Sequence, residues 1–155
     1  MTARFTITAI LIDPVRAQAR RVALTIKEDS LVLAELYDLL RCDLVERVPF
    51  DDAHLIWADE NGWDEATGLT VIDGGRNAIA GRFLIVAEDE AGAVGDVAAD
   101  VTALLDRLVC HRCLFEAEFM THTDGDNHSF TVETRLQGVT PRIDRRSPQL
   151  ITQDD

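Results

Sequence analysis

The apolar run Phe83-Leu84-Ile85-Val86-Ala87 is the feature that most constrains the fold of this chain. Two of its five residues are β-branched, and it is bounded by Gly81 and by the acidic segment Glu88-Asp89-Glu90. A short apolar run with such boundaries is typical of a strand that is buried on both faces. The paired glycines Gly74 and Gly75 precede it and indicate a tight loop. We therefore expect a central strand at 83–87, around which the rest of the chain folds.

The length and composition of the chain suit one domain, or one domain with a smaller addition. Apolar residues make up 46% of its 155 residues, so a packed core is expected. The three cysteines cannot all pair within one chain, which favours a reducing compartment. The apolar segment 5–12 is short and lacks a small-residue cleavage site, so it predicts a strand rather than a signal peptide or membrane span. We expect a cytoplasmic protein of a host cell.

Residue spacing predicts the elements of the first 90 residues. Alternation predicts strands at 5–12 and 21–27, paired as an antiparallel hairpin around a loop at 16–19. Asp29-Ser30 predicts the N-cap of a helix of about 12 residues that ends near Cys42. Short strands are predicted further along, at 44–48, 54–58 and 69–72. Trp57 and Trp63 bracket a turn, and we expect both to pack at the edge of the core.

The spacing changes after the glycine-containing segment 91–95. A helical stripe predicts a second helix from about Asp96 to His111. Alternation then predicts a hairpin that pairs 116–122 with 129–136. The predicted fold class is therefore α+β, a small antiparallel or mixed sheet with two main helices and a C-terminal hairpin. We expect three regions, namely a core domain at 1–90, a helix-and-hairpin extension at 91–137 and a flexible tail at 138–155.

Several segments of the first 90 residues together carry a pattern of strands and turns. They are Ile7-Thr8-Ala9-Ile10-Leu11-Ile12-Asp13-Pro14, Leu33-Ala34-Glu35-Leu36-Tyr37, Leu44-Val45-Glu46, Trp57-Ala58-Asp59-Glu60-Asn61-Gly62, Asn77-Ala78, and Gly81 leading into Phe83-Leu84-Ile85-Val86. This pattern resembles domain of unknown function 3846, a small family found largely in phages and mobile elements. The resemblance implies a small α+β domain and a mobile-element origin, and it carries over no function. The residues after Gly95 depart from the pattern.

The most metal-like stretch is Cys110-His111-Arg112-Cys113, which His122 and His128 follow. Zinc uses such ligands, but a strand at 116–122 would place His122 about 30 Å from Cys113. No second Cys-x-x-Cys and no thioredoxin-like βαβ pattern is present, so the preferred interpretation is a helix end with two semi-buried thiols. We predict neither a metal nor a cofactor.

Other sequence motifs do not indicate catalysis. The segment Asp124-Gly125-Asp126-Asn127 resembles part of a calcium loop but lacks its later ligands, so a hairpin turn is predicted there. The sequence contains neither a phosphate-binding glycine loop nor a nucleophile elbow. No catalytic residue is predicted.

Acidic side chains dominate the charge of the chain. There are 28 Asp and Glu against 15 Lys and Arg, which leaves a net charge of −13. Such a surface repels nucleic acid and anionic membranes and favours basic partners. The predicted partner-binding residues lie in segments without Lys or Arg: Asp51, Asp52, Asp59, Glu60, Asp64, Glu65, Glu88, Asp89 and Glu90. They form either a solvated face or a surface that imitates the phosphates of nucleic acid in a basic groove.

From these features we expect an acidic protein-binding modulator or inhibitor from a phage or mobile element. Its expected partner is the basic surface of a host defence or nucleic-acid-handling complex. Direct binding to nucleic acid or membrane is not expected. The alternatives are a small enzyme with a dispersed active site and a structural or dimerisation module.

Overall fold

Strands dominate this chain. The structure is a computed structural model that describes residues 3–75 and 77–152. Within those ranges the chain forms twelve strands and three helices, of which two have only four residues each. The predicted α+β class with two main helices is therefore wrong, because the chain is mostly β and contains two sheets. The longest described helix has eight residues, and no described helix is long and apolar enough to cross a bilayer.

The strands are, in chain order, β1 (Arg4–Asp13), β2 (Gln18–Lys27), β3 (Ser30–Leu31), β4 (Val45–Asp51), β5 (His54–Asp59), β6 (Gly68–Ile72), β7 (Asn77–Ala80), β8 (Phe83–Glu88), β9 (Val94–Gly95), β10 (Leu108–Gly125), β11 (Phe130–Arg146) and β12 (Gln149–Ile151). The helices are α1 (Leu33–Leu40), α2 (Gly62–Glu65) and α3 (Thr102–Leu105). The chain divides into two compact units. We call residues 1–112 with 145–155 the main unit and residues 113–144 the arm.

The larger sheet confirms the predicted central strand. Its order is β12-β2-β1-β8-β5-β4, with β3 added to β2 and β9 added to β8. Strand β8 lies between β1 and β5, where Leu84 is opposite Leu11 on one side and Trp57 on the other. The predicted hairpin of β1 with β2 is also confirmed. Strand β4 runs through Pro49 because it is an edge strand, where a residue without an N–H is tolerated.

Both faces of the larger sheet are covered, which explains why β8 is apolar at consecutive positions. Phe83 and Ile85 belong to one buried cluster, and Leu84 and Val86 belong to the other. Helix α1 contributes to the second cluster, whereas β6, β7, α3 and the start of β10 contribute to the first. Because alternate side chains of a strand point to opposite faces, each face of β8 needs its own apolar set.

The first helix is shorter than predicted and starts later. Residue Val32 precedes α1, and the predicted cap at Asp29-Ser30 lies instead in a turn and in β3. The buried side chain of Leu31 holds this segment against β2, which prevents an earlier helix start. Glu35 then joins α1 to β2, because its carboxylate accepts hydrogen bonds from the N–H and hydroxyl of Thr25, both at 2.7 Å.

The second predicted helix, at 96–111, is wrong. Residues 96–101 are not helical, α3 is a single turn, and β10 already begins at Leu108. Asp96 accepts a hydrogen bond from the Thr8 N–H at 2.6 Å, and the Val97 N–H donates to the Thr8 carbonyl at 2.9 Å. The apolar residues that suggested a helix are buried in one cluster, so their spacing reflects a shared burial site rather than a helical period.

The segment after Gly138 has regular structure. Residues 138–146 continue β11, and β12 pairs in parallel with β2, with Gln149 opposite Gln18. Residues 153–155 lie outside the described part of the chain. The predicted C-terminal hairpin exists and is longer than expected, because β10 and β11 extend well beyond 116–122 and 129–136.

Candidate partner-binding site

Strand β5 separates the predicted acidic residues into two groups. It has six residues and so measures about 17 Å, at about 3.4 Å per residue. We call the first group the Asp52 group. Its two turns lie side by side, because the Glu88 N–H donates to the Ala53 carbonyl at 2.9 Å. The Asp52 group is Asp51, Asp52, Glu88, Asp89 and Glu90. The second group follows the other end of β5 and is Asp59, Glu60, Asp64 and Glu65.

Arginines of the chain itself offset much of the charge of the Asp52 group. Arg107 donates to Asp51 at 2.6 Å and, through two nitrogens, to Asp73 at 2.8 Å each. Arg47 pairs with Glu88 at 2.7 Å. The hydrogen bond from Arg107 lowers the pKa of Asp73. The charges of Asp51, Asp73 and Glu88 are therefore paired with arginines of the same chain.

The Asp52 group also contains turn-forming side chains. One carboxylate oxygen of Asp89 accepts the N–H groups of Ala91 and Ala93 at 2.9 and 2.8 Å. Asp51 likewise accepts the N–H of Ala53 at 2.9 Å. An Asp that bonds its own backbone in this way stabilises a tight turn. Local structure thus explains much of this group without any partner.

A cavity of about 370 Å³ lies beside Glu88 and contains Trp57 in its lining. Arg47 stands over the Trp57 ring with its guanidinium carbon 5.8 Å from the ring centre. The indole Nε1 of Trp57 is buried and has no hydrogen-bond partner in residues 3–75 and 77–152. Trp57 packs against the core, as predicted.

The second group is close in sequence to an exposed tryptophan, and together they are called the Trp63 site (Asp59, Glu60, Trp63, Asp64 and Glu65). The Trp63 side chain is 65% exposed, so the prediction that it packs at the core edge is wrong. The backbone next to Trp63 packs closely against β7, since a Cβ at Gly62 would lie 2.5 Å from the Ala80 carbonyl oxygen. Only glycine lets α2 approach β7 so closely. Trp63 therefore stands on a fixed turn rather than on a loose loop.

Hydrogen bonds fix the turn that leads into the Trp63 site. The Asn61 N–H donates to the Asp59 carboxylate at 2.9 Å, and the Glu60 N–H donates to the Leu44 carbonyl at 3.1 Å. Asp64 and Glu60 are exposed. None of the four carboxylates takes part in an ion pair within the described residues. In contrast to Asp51 and Glu88, none of the four is therefore held by an arginine among the described residues.

One carboxylate of the Trp63 site also faces cations of the chain. Glu65 lines a cavity of about 460 Å³ together with Arg16, Arg41 and Arg82. Of these, Arg82 is bonded to Asp13 at 3.0 Å. Glu60 and Asp64 do not line that cavity. They are consequently the more direct candidates for contact with a basic partner.

The interpretation that Cys110 and Cys113 lie at a helix end is wrong. Both lie in β10, where residues three apart point to opposite faces of the strand. Cys110 is buried beside the Thr70 hydroxyl at 3.7 Å, and burial raises the pKa of its thiol. Cys113 is exposed. Within the described ranges, no three potential ligands lie close enough to hold one metal ion.

The amino-acid sequence alone shows neither the separation of the two acidic groups nor the exposure of Trp63. The signal for the separation was the length of β5, which divides the acidic turns. The signal for Trp63 was its position beside Gly62 in a segment of acidic residues, where its neighbours offer no apolar cover.

Comparisons with known proteins place the fold pattern in a family. The family model described as domain of unknown function (DUF3846) matches residues 7–108, more than half of the chain. The uncharacterized protein y4iR of Sinorhizobium fredii (strain NBRC 101917 / NGR234) is 26% identical over 144 residues, which cover 92% of this chain and 88% of that protein. Protein PsiB of Rhizobium leguminosarum bv. phaseoli is 27% identical over 124 residues, 79% of this chain and 92% of its own. No solved structure matches.

Proposed function

The chain belongs to the DUF3846 family, a domain of unknown function, and from the Trp63 site we propose that it is a protein-binding modulator that docks on a basic surface of a partner protein. The observation that carries this proposal is a tryptophan that is 65% exposed among carboxylates without ion-pair partners in the described ranges. Exposed tryptophans often supply a large share of binding free energy at protein interfaces.

The chemistry of the Trp63 site favours a lysine or arginine of the partner. The face of an indole ring attracts a cation, and nearby carboxylates add charge-assisted hydrogen bonds. Glu60 and Asp64 are exposed and close in sequence to Trp63, so one basic side chain could meet the ring and a carboxylate together. The fixed turn at Gly62 reduces the entropy that the site loses on binding.

We further propose that the partner is a host defence or nucleic-acid-handling complex in the cytoplasm. The net charge of −13 fits a partner surface that normally holds phosphates, where an acidic protein would compete as an inhibitor. The mobile-element origin that the family resemblance implies fits an action on a host complex. The Asp52 group, about 17 Å away along β5, offers the same partner a second and weaker contact.

The test is a pull-down from a bacterial lysate with four baits, read by quantitative mass spectrometry. The baits are the wild-type chain, Trp63→Ala, Glu60→Lys/Asp64→Lys, and the control Asp38→Lys/Asp106→Lys. The control makes the same change of net charge at two exposed acids outside the Trp63 site. Each bait is used at about 50 mM and about 500 mM salt, because screening weakens exposed charge contacts.

We expect one partner to be retained by the wild-type chain and the control at low salt. It should be lost from both Trp63-site variants and should decrease at high salt. Equal recovery by all four baits at both salt concentrations would contradict the proposal.

A further inference from the structure

The arm has an exposed surface that the proposed function does not use. None of residues 113–144 is buried, although three phenylalanines and several aliphatic residues lie among them. A two-stranded hairpin without a covered face is at best marginally stable in water. The arm therefore needs a second layer, and the arrangement of its side chains indicates what that layer is.

Three side-chain contacts assign the faces of the arm. Arg142 pairs with Glu116 at 3.0 Å, and the Thr140 hydroxyl donates to Glu118 at 3.2 Å. Nearer the turn, the hydroxyls of Thr121 and Thr134 are 3.3 Å apart. Glu118 and Thr121 are three residues apart and so point to opposite faces of β10. Thr134 contacts Thr121 and Thr140 contacts Glu118, so Thr134 and Thr140 also point to opposite faces of the hairpin. In a regular strand, two residues six apart would point to the same face.

One extra residue in β11 resolves this difference. Gly125 is opposite Phe130 and Thr121 is opposite Thr134, which sets the register near the turn. Towards the base of the arm, Glu118 lies beside both Gly138 and Thr140, which needs a register shifted by one residue. An extra residue in β10 would shift the register the other way and move Thr140 out of reach of Glu118. We therefore place a β-bulge between Thr134 and Gly138.

The bulge collects most of the apolar side chains of the arm on one face. Strand β11 carries apolar residues at even positions before the bulge and at odd positions after it, and the shift brings both sets to the same side. This face, which we call the apolar face, contains Phe115, Phe119, Phe130, Val132, Val139 and Ile143. These side chains are 49–74% exposed. The opposite face carries Glu116, Glu118, Thr140 and Arg142, and also the exposed side chain of Met120.

We propose that the apolar face packs against the same face of a second copy of this chain, so that the protein is a two-fold symmetric dimer. Each arm would give the other the second layer that it lacks, in the manner of a small β-sandwich. A two-fold axis brings one surface against itself, which an uncharged face allows. The polar faces with their ion pairs stay in water on the two outer sides.

The size of the apolar face fits a dimer. The six residues of the apolar face together expose an accessible surface of roughly 650 Å² in each copy. This area follows from their observed fractional exposures and from about 150–250 Å² of surface for an aromatic residue. Two copies would bury roughly 1,300 Å², within the usual range for a specific protein interface. The net charge of −13 opposes contact between copies elsewhere, whereas the apolar face contributes no charge to that repulsion.

The bulge and its neighbours also favour packing through the face rather than through the strand edge. Bulges and prolines obstruct the addition of another strand to a sheet edge, and β11 carries both the bulge and Pro141. A second copy is also present wherever the chain is present, at the same concentration. The share of arms that have their second layer therefore rises as the chain concentration exceeds the dissociation constant of the dimer.

Two adjacent residues of β11 give a matched test in the full-length chain. Val132 lies on the apolar face, and Thr131 lies on the opposite face. Both are β-branched and exposed, so Val132→Asp and Thr131→Asp change strand propensity by similar amounts and differ in the face that receives the charge. Sedimentation velocity from about 1 to about 100 μM measures the dissociation constant of each protein, a range that covers moderate affinities.

We expect the wild-type chain and Thr131→Asp to form dimers with twice the mass of one chain. Val132→Asp should raise the dissociation constant roughly a thousandfold, because each dimer would bury two unpaired charges. The melting temperature of the wild-type chain should rise with protein concentration, and that of Val132→Asp should not.

Two results would overturn the proposal. One is a wild-type chain that stays monomeric up to 100 μM, which would assign the apolar face to a different partner. The other is a dimer that both substitutions leave intact or weaken equally, which would place the interface outside the apolar face. The melting curves show whether Val132→Asp is still folded, so loss of the dimer is distinguished from unfolding of the main unit.

Discussion

The central strand β8 and the arm strand β11 both carry apolar side chains that need cover from water, and they differ in where that cover comes from. β8 is apolar at consecutive positions, because each of its faces meets a separate buried cluster of the main unit. β11 alternates apolar and polar residues, and neither of its faces is covered within residues 113–144. The apolar pattern of a strand therefore specifies which of its surfaces must be covered, but it does not specify which molecule covers them. For β8 the cover comes from the same chain, and for the arm we expect it from a second copy.

The largest contrast between the two regions should come from placing the same charge in each. Leu84 is fully buried between Leu11 and Trp57, so Leu84→Asp leaves an unpaired charge in the core and should abolish folding. Phe115→Asp, in the arm, should still give a cooperative thermal melt by circular dichroism at low protein concentration. A normal melt for Leu84→Asp would show that β8 is not central.

A smaller contrast concerns two glycines that both lack room for a Cβ. Gly62→Ala in the main unit would bring the new methyl 2.5 Å from the Ala80 carbonyl oxygen and should cost about 1–3 kcal/mol of unfolding free energy. Gly125→Ala in the arm also meets backbone atoms, of Phe130, but the exposed hairpin can open locally and the main unit should keep its stability. Urea titration measures both. Equal losses would mean that the arm unfolds together with the main unit.

Acid should weaken the main unit through Arg107. Burial raises the pKa of Asp51, but hydrogen bonds from the Ala53 N–H and from Arg107 outweigh burial, so the net pKa of Asp51 is lowered. The hydrogen bond from Arg107 lowers the pKa of Asp73 as well. A carboxyl with a lowered pKa in the folded state contributes stability above its ordinary pKa of about 4, and this stability is lost as pH falls further. Arg107→Gln should therefore lose less stability between pH 5 and pH 3 than the wild type, measured by urea midpoints. Identical pH profiles would contradict this account.

The smallest effect is expected from the ion pair of the arm. Arg142 and Glu116 have side chains that are more than half exposed, so Glu116→Gln should change the unfolding free energy by less than about 0.5 kcal/mol. Arg82 and Asp13 form the corresponding pair in the main unit, where both side chains are largely buried. Asp13→Asn should cost more, about 1–2 kcal/mol, because it leaves a largely buried guanidinium without a charged partner. A larger loss of unfolding free energy from Glu116→Gln than from Asp13→Asn would show that the ion pair of the arm is the stronger one.

Local patterns predicted the parts of the fold that depend on local information. The hairpin of β1 with β2 and the strand β8 followed from alternation and from an apolar run. The helix predicted at 96–111 failed because Val97, Val101 and Leu104 share a burial site that distant strands create, and no local pattern records those strands. The arm was predicted too short because Pro141 and the mixed charges after Gly138 show no period, whereas β11 continues through them to Arg146.

The candidate site was predicted in part for the same reason. The acidic residues were visible in the sequence, and their separation into two groups depended on the length of β5. The negative charge of Asp51 is offset by Arg107, which is more than 50 residues away in sequence and lies 2.6 Å from the Asp51 carboxylate in space. Such long-range pairing decides which carboxylates remain available, and it cannot be inferred from composition.

The parallel pairing of β12 with β2 has a consequence for synthesis on the ribosome. Gln149 is opposite Gln18, and its N–H donates to the Ala17 carbonyl at 3.0 Å. At about 5–20 residues per second, roughly 7–26 s pass between translation of the two strands. During that interval the nascent chain presents an incomplete sheet edge at the start of β2. Translation rate and chaperone availability should therefore influence the yield of folded protein more than the local strength of β2 does.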